Sequence, residues 1–259
     1  MNYGLYLSAS GVLTNSYRQD VFANNLANVE TIGFKPDVPA IRQRRPEAVE
    51  DPGTGSAFRQ RLLERLGGGV LAGPQRIDFT PAPLKPGGDL DVALRGENAF
   101  FAVRTNEGGQ QSIRLTRDGR LSRDPDGYLV TAAGNHRLLD THDRPIQLGL
   151  TGPVKIDPAG RVIQGGETIA QIQVTGVNDL TSLHKQGSSL FAWTEKSDPR
   201  IAPSDPTIKP GYVESSGVDP IRALMDMISA TKEGTANGNL IRYQDQLMDR
   251  AVNTFGRVA

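Results

Sequence analysis

The chain has 259 residues, with 29 Lys+Arg against 29 Asp+Glu for a formal net charge of +0, and no cysteine. The absent cysteine excludes disulfides, thiol catalysis and thiolate metal sites, and the balanced charge leaves no whole-chain footprint for nucleic acid or anionic lipid. Hydrophobic residues make up 37%, low for an enzyme of this size, and no run has the apolar length of a membrane span.

Helical spacing marks the start. Tyr6, Ala9, Leu13, Tyr17 and Val21 fall on one face of a helix predicted from Tyr3 to about Val29. Gly33 is expected to stop it and Pro36 to prevent its resumption. No basic segment followed by an apolar one opens the chain, so a cleaved secretory signal is not expected. Residues 37–72 are rich in Arg, Pro and Gly and read as a linker or arm, with a short helix at 57–66.

From about residue 73 to 213 the period changes to two. Leu90, Val92 and Leu94 alternate with other residues ahead of Phe100-Phe101-Ala102-Val103. Glycine-bearing turns recur at Glu107-Gly108-Gly109, Asp118-Gly119, Asp126-Gly127, Gly134-Asn135, Ala159-Gly160 and Gly165-Gly166. Short strands so punctuated predict an antiparallel β domain.

The last segment predicts a long helix. Asp219 suits the N-cap and Pro220 the first helical position. Ile221, Leu224, Met225 and Ile228 form an apolar stripe that Leu240, Leu247, Ala251 and Phe255 resume, while Gly234 and Gly238 are expected to weaken or kink the middle. The fold class is therefore α+β, mainly β. The assembly region is 1–36 with 214–259, and the β domain is 73–213. The two helical stripes have no evident partner within the chain, so a coiled-coil-like layer between subunits is expected.

Catalytic chemistry finds little support. His136, His142 and His184 lack metal-ligand spacing, and Asp140, His142 and Asp143 read as a solvated turn. Gly67-Gly68-Gly69 lacks the Gly-Lys-Ser/Thr of a phosphate loop. Arg42, Arg44 and Arg45 read as a solvated arm. No catalytic, cofactor or metal residue is expected.

Ordered motifs carry more. Leu5-Tyr6, Ser10-Gly11, Asn24-Asn25-Leu26-Ala27-Asn28, Thr31 and Gly33-Phe34-Lys35 resemble the N-terminal signature of bacterial flagellar rod and hook proteins. The stretches 89–96 and 100–103, Thr116-Arg117-Asp118-Gly119 and Gly127-Tyr128-Leu129-Val130-Thr131 are similar to the β-domain core of that family. Gly211-Tyr212-Val213-Glu214-Ser215-Ser216, Val218 and Met225 continue the resemblance to the end of the chain. The length and motifs look most like a rod protein, and the Gly-Tyr-Val-Glu-Ser-Ser ending leans towards the distal type. Gly217 and Gly234-Thr235 depart from the family pattern.

The resemblance implies a structural subunit of the basal-body rod. It would polymerise with copies of itself, contact other rod and hook proteins, and leave the cell through the flagellar export apparatus without signal cleavage. It would need no cofactor, bind no nucleic acid and insert in no membrane. Both terminal helices would line the inner wall of a tube, with the β domain outside. The residues expected at subunit interfaces are Leu5, Tyr6, Leu13, Tyr17, Asn24, Asn25, Leu26, Asn28, Leu224, Met225, Ile228, Asn237, Leu247 and Phe255. The asparagines also suit an ordinary helix C-terminus, and Phe34 is expected to pack back on the helix end. The alternative from another class is an extracellular β-rich adhesin with helical flanks.

Overall fold

Helix α1 (Tyr3–Ala27) and helix α2 (Pro220–Phe255) flank a series of short strands in the computed structural model. The structure describes residues 3–44, 68–107, 110–149, 151–187, 189–193, 200–201 and 208–255. The helix expected at 57–66, Arg45, Gly67 and the Gly108-Gly109 turn lie outside the described residues. Two compact units divide the chain. One holds Met1–Ala27, Asp37–Arg76 and Asp219–Ala259, and the other holds Asn28–Pro36 and Ile77–Val218.

In the helical unit, Asp219 caps α2 as its chemistry requires. Its Oδ1 accepts from the amides of Ile221 at 2.9 Å and Arg222 at 3.2 Å. The helix then runs unbroken through Gly234 and Gly238. α1 ends at Ala27, ahead of Gly33. The arm 37–72 is ordered where it is described. Ile41–Gln43 pairs antiparallel with Val70–Ala72, and Asn25 clamps the Asp37 backbone at both its N–H and its C=O, at 2.9 and 2.8 Å.

Among the described residues, the β unit is built on a nine-stranded antiparallel sheet. Its central strand Ala99–Glu107 pairs with Gln110–Thr116 on one side and with Arg137–Leu138 and Val174–Val177 on the other. Phe101 and Val103 enter one core with Leu129, Leu138, Ile146, Val162 and Ile172. Phe100 and Ala102 enter a second core with Phe79, Leu115, Leu139 and Phe191. Successive side chains of a strand point to opposite faces, so the continuous apolar run from Phe100 to Val103 marks a strand covered on both sides. The same holds for Val92, Ala93 and Leu94, all buried, where the alternating pattern predicts one buried face. A three-stranded sheet of Val154–Ile156, Arg161–Gln164 and Glu167–Gln171 brings Val154, Ile156 and Val162 to the first core. Phe79, Phe100 and Phe191 meet with ring centroids 5.3 to 5.8 Å apart.

Candidate assembly surface and motif junction

Three of the quoted motifs converge inside the β unit. Lys35 Nζ donates to Glu214 Oε1 at 2.7 Å and to the Thr80 carbonyl at 2.9 Å. Arg117 reaches Glu214 Oε2 at 3.4 Å, donates to the carbonyls of Gly96 and Glu97, and stacks 4.8 Å from the Phe100 ring centroid. The Ala82 amide donates to Glu214 Oε1 at 2.9 Å. All three charged side chains are sealed, at 0 to 1% exposure. Burial pushes the Lys35 ammonium below its ordinary value and the Glu214 carboxylate pulls it back; Arg117 is lowered in the same way.

Two glycines allow this approach. Gly33 sits at φ +69°, and a Cβ there would lie 2.6 Å from the Arg117 carbonyl carbon. Its amide donates to the Glu214 carbonyl at 2.8 Å. A Cβ on Gly119 would lie 1.6 Å from the Val92 carbonyl oxygen. Both positions therefore exclude a side chain. Phe34, expected against the helix end, is buried in the β unit with the Lys185 ammonium 3.9 Å from its ring centroid. Ser215 bonds the Pro83 carbonyl through both its amide and its hydroxyl.

The helical unit has the opposite character. α1 and α2 pair antiparallel within the chain, through residues other than the large apolar ones of the predicted stripes. Their seam is small and polar. Gly4 faces the Gln244 carboxamide, and Gly11, one heptad on, faces Asn237, with 2.6 and 2.5 Å from a hypothetical Cβ to the amide nitrogens. Gly234 lies across from Asn15, and Arg18 forms an ion pair with Glu233. Among the described side chains of α2 the buried ones are Ala223 and Ala230.

The large apolar residues of the predicted α2 stripe are mostly in solvent rather than in this seam. Ile221 is 72% exposed, Met225 66% and Leu247 64%, and Leu224, Ile228, Leu240 and Tyr243 are exposed with them. The two halves of α2 thus invert the usual order, with small and polar residues in the internal contact and large apolar ones outside. On α1, Leu13 is exposed. Leu5 lines a cleft of about 200 Å³ with Gln244, Leu247, Met248 and Ala251.

Other expected interface residues make contacts within the chain. Tyr17 donates to the Gly73 carbonyl at 3.3 Å, Asn25 is buried on Asp37, and Asn28 accepts from the Thr31 hydroxyl at 3.1 Å. Tyr6 is exposed beneath the Arg44 guanidinium. Asn24 is exposed and Leu26 half-buried, and the side chain of Phe255 lies outside the described residues. The Asp140 cluster is a turn: Asp140 Oδ1 accepts from the amides of His142 and Arg144, while Asp143 pairs with Arg200. Sequence reading misses the seam glycines and the meeting of Lys35, Arg117 and Glu214. The available signals are the three-and-four spacing of Gly4, Ser8, Gly11, Asn15 and Arg18, and a charged residue in each of three motifs.

Similarity to known proteins decides the family. The chain is 31% identical over 261 residues to the flagellar basal-body rod protein FlgF of Caulobacter vibrioides, covering 100% of both chains. The chain belongs to the flagellar basal-body rod protein family. It is also 28% identical to the rod protein FlgG of Bacillus subtilis, over 96% of this chain and 97% of that one. Identity to the rod protein FlgF of Mesorhizobium japonicum is 27%, over 99% of each. Residues 5–35 match the family described as flagella basal body rod protein, and 209–254 match the one described as flagellar basal body rod FlgEFG protein C-terminal. These two family segments hold most of α1 with Lys35, and Glu214 with most of α2.

Proposed function

We propose that this rod-family chain is a structural subunit of the bacterial flagellar basal-body rod and that its work is mechanical rather than catalytic. Copies stack head to tail into a helical tube that carries torque from motor to hook. The observation that carries this reading is the outward apolar face of α2, set on a chain similar from end to end to rod proteins. Covering Ile221, Leu224, Met225 and Ile228 contributes roughly 25 cal/mol per Å², several kcal/mol in all. A non-closing contact repeats that gain along a filament. The exposed residues Tyr6, Leu13, Leu224, Met225, Ile228 and Leu247, with the cleft residue Leu5, form the subunit contacts in this reading. Asn25 and Asn237 act indirectly, by fixing the helical unit. The partners are further copies, other rod and hook proteins, and the flagellar export apparatus.

An in-frame deletion in the source bacterium tests the reading. Electron cryotomography is expected to show truncated rods without hooks, restored by the intact gene but not by one lacking residues 219–259. Normal rods and swimming in the deletion strain would overturn it.

A further inference from the structure

Lys35, Arg117 and Glu214 enter the chain in an order that matters. Two cations come first and the single carboxylate that contacts both comes 97 residues after Arg117 and 179 after Lys35. Asp78 and Glu97 add more distant attraction to Lys35 and Arg117 respectively. Neither forms an ion pair with them among the described residues. Burying a cation without its counterion is strongly unfavourable, and removing one partner of a buried pair leaves that cost uncompensated.

The site also ties closure to backbone structure. Glu214 lies on the strand Tyr212–Glu214, which pairs with Leu84–Pro86. Its carboxylate caps the Ala82 amide, and its carbonyl holds the Gly33 amide. Arg117 lies against Phe100, at the centre of the aromatic core. Until Glu214 arrives, sealing Lys35 and Arg117 in their observed places would strand two buried charges, one of them against that core.

We infer that Glu214 is a last-arriving clasp: the β unit closes over its second core only once the C-terminal motif strand has docked. In any process that delivers the chain N-terminus first, synthesis included, the unit stays open until residue 214 is present. This makes folding conditional on near-completion of the chain, and it holds independently of the assembly reading.

The sole tryptophan, Trp193, packs against the second core and reports its closure. Stopped-flow refolding and unfolding of the full chain, followed by Trp193 fluorescence, tests the clasp. Glu214→Gln keeps the shape and removes the charge. Its folding limb is expected to slow by roughly a hundredfold to a few thousandfold with little change in unfolding, as a contact formed in the rate-limiting step requires. Unchanged folding with the loss taken by faster unfolding would overturn the inference, because a merely stabilising contact behaves that way. If Glu214→Gln has no folded state, the triple variant Lys35→Met/Arg117→Met/Glu214→Met decides. Folding at least as fast as the parent supports the clasp, and failure to fold overturns it.

Discussion

Lys35 and Glu214, 179 positions apart in sequence, are ion-paired at 2.7 Å with both side chains closed to solvent. One belongs to the motif that follows α1 and the other to the motif that precedes α2. Their pairing fixes both motifs in the β unit, with Arg117 as the third member.

Glu214 is the only acid ion-paired in this junction among the described residues, and it faces two cations. Glu214→Gln is expected to cost about 3 to 5 kcal/mol, the range for breaking a buried pair. Lys35→Met costs less, because Glu214 keeps Arg117. Urea unfolding at neutral pH measures both, and equal losses would contradict the arrangement.

Gly33 is held at φ +69° against the Arg117 backbone. Gly33→Ala combines left-handed strain with a steric overlap that backbone atoms cannot relieve cheaply, and a loss of about 2 kcal/mol or more is expected. Thermal denaturation checks it. An unchanged melting temperature would show that this turn is not held as described.

The helix glycines divide by their surroundings. A methyl group on Gly238 would meet nothing within 4 Å beyond its own helix backbone and chain neighbours, so Gly238→Ala is expected to stabilise α2 by about 0.8 to 1 kcal/mol. A Cβ on Gly11 would lie 2.5 Å from the Asn237 amide nitrogen, so Gly11→Ala is expected to destabilise the helix pair despite better helix propensity. Circular dichroism melts of the two variants should move in opposite directions.

The pH response follows from two aspartates. Hydrogen bonds from the Arg200 side chain hold the Asp143 carboxyl below its ordinary value of 3.8, and bonds from Thr80 do the same for Asp78. A folded-state value below the unfolded one gives stability that is present above about 3.8 and lost as pH falls through the lower folded value. Asp143 is 41% exposed, so screening keeps its share to about 1 kcal/mol or less. Unfolding at pH 7 and pH 3 should show lower stability in acid, with a smaller drop in Asp143→Asn.

Much of the fold is legible in the sequence because local chemistry and global structure agree. Asp219-Pro220 starts a helix wherever it stands before helix-forming residues, and Gly-bearing turns every few residues divide the centre into antiparallel strands. The helix seam is less legible. Hydrophobic periodicity finds the large residues, and in α2 most of these are exposed while the small residues Ala223 and Ala230 are buried and Gly234 faces α1. The charged junction is hidden for a different reason. Charge in a motif ordinarily indicates solvent, and only the three-dimensional meeting of Lys35, Arg117 and Glu214 supplies the compensation that burial requires. Asn25 reads from sequence as a contact between subunits, but its carboxamide is spent on both backbone groups of Asp37.

The most direct test of the assembly account is rod length in cells whose only copy carries Leu224→Ser/Met225→Ser/Ile228→Ser, imaged by electron cryotomography. All three side chains are exposed, so the purified variant should melt as the parent does. The account predicts truncated rods without hooks from this folded subunit. Full-length rods with normal hooks would contradict it, because the outward face of α2 would then hold no neighbour.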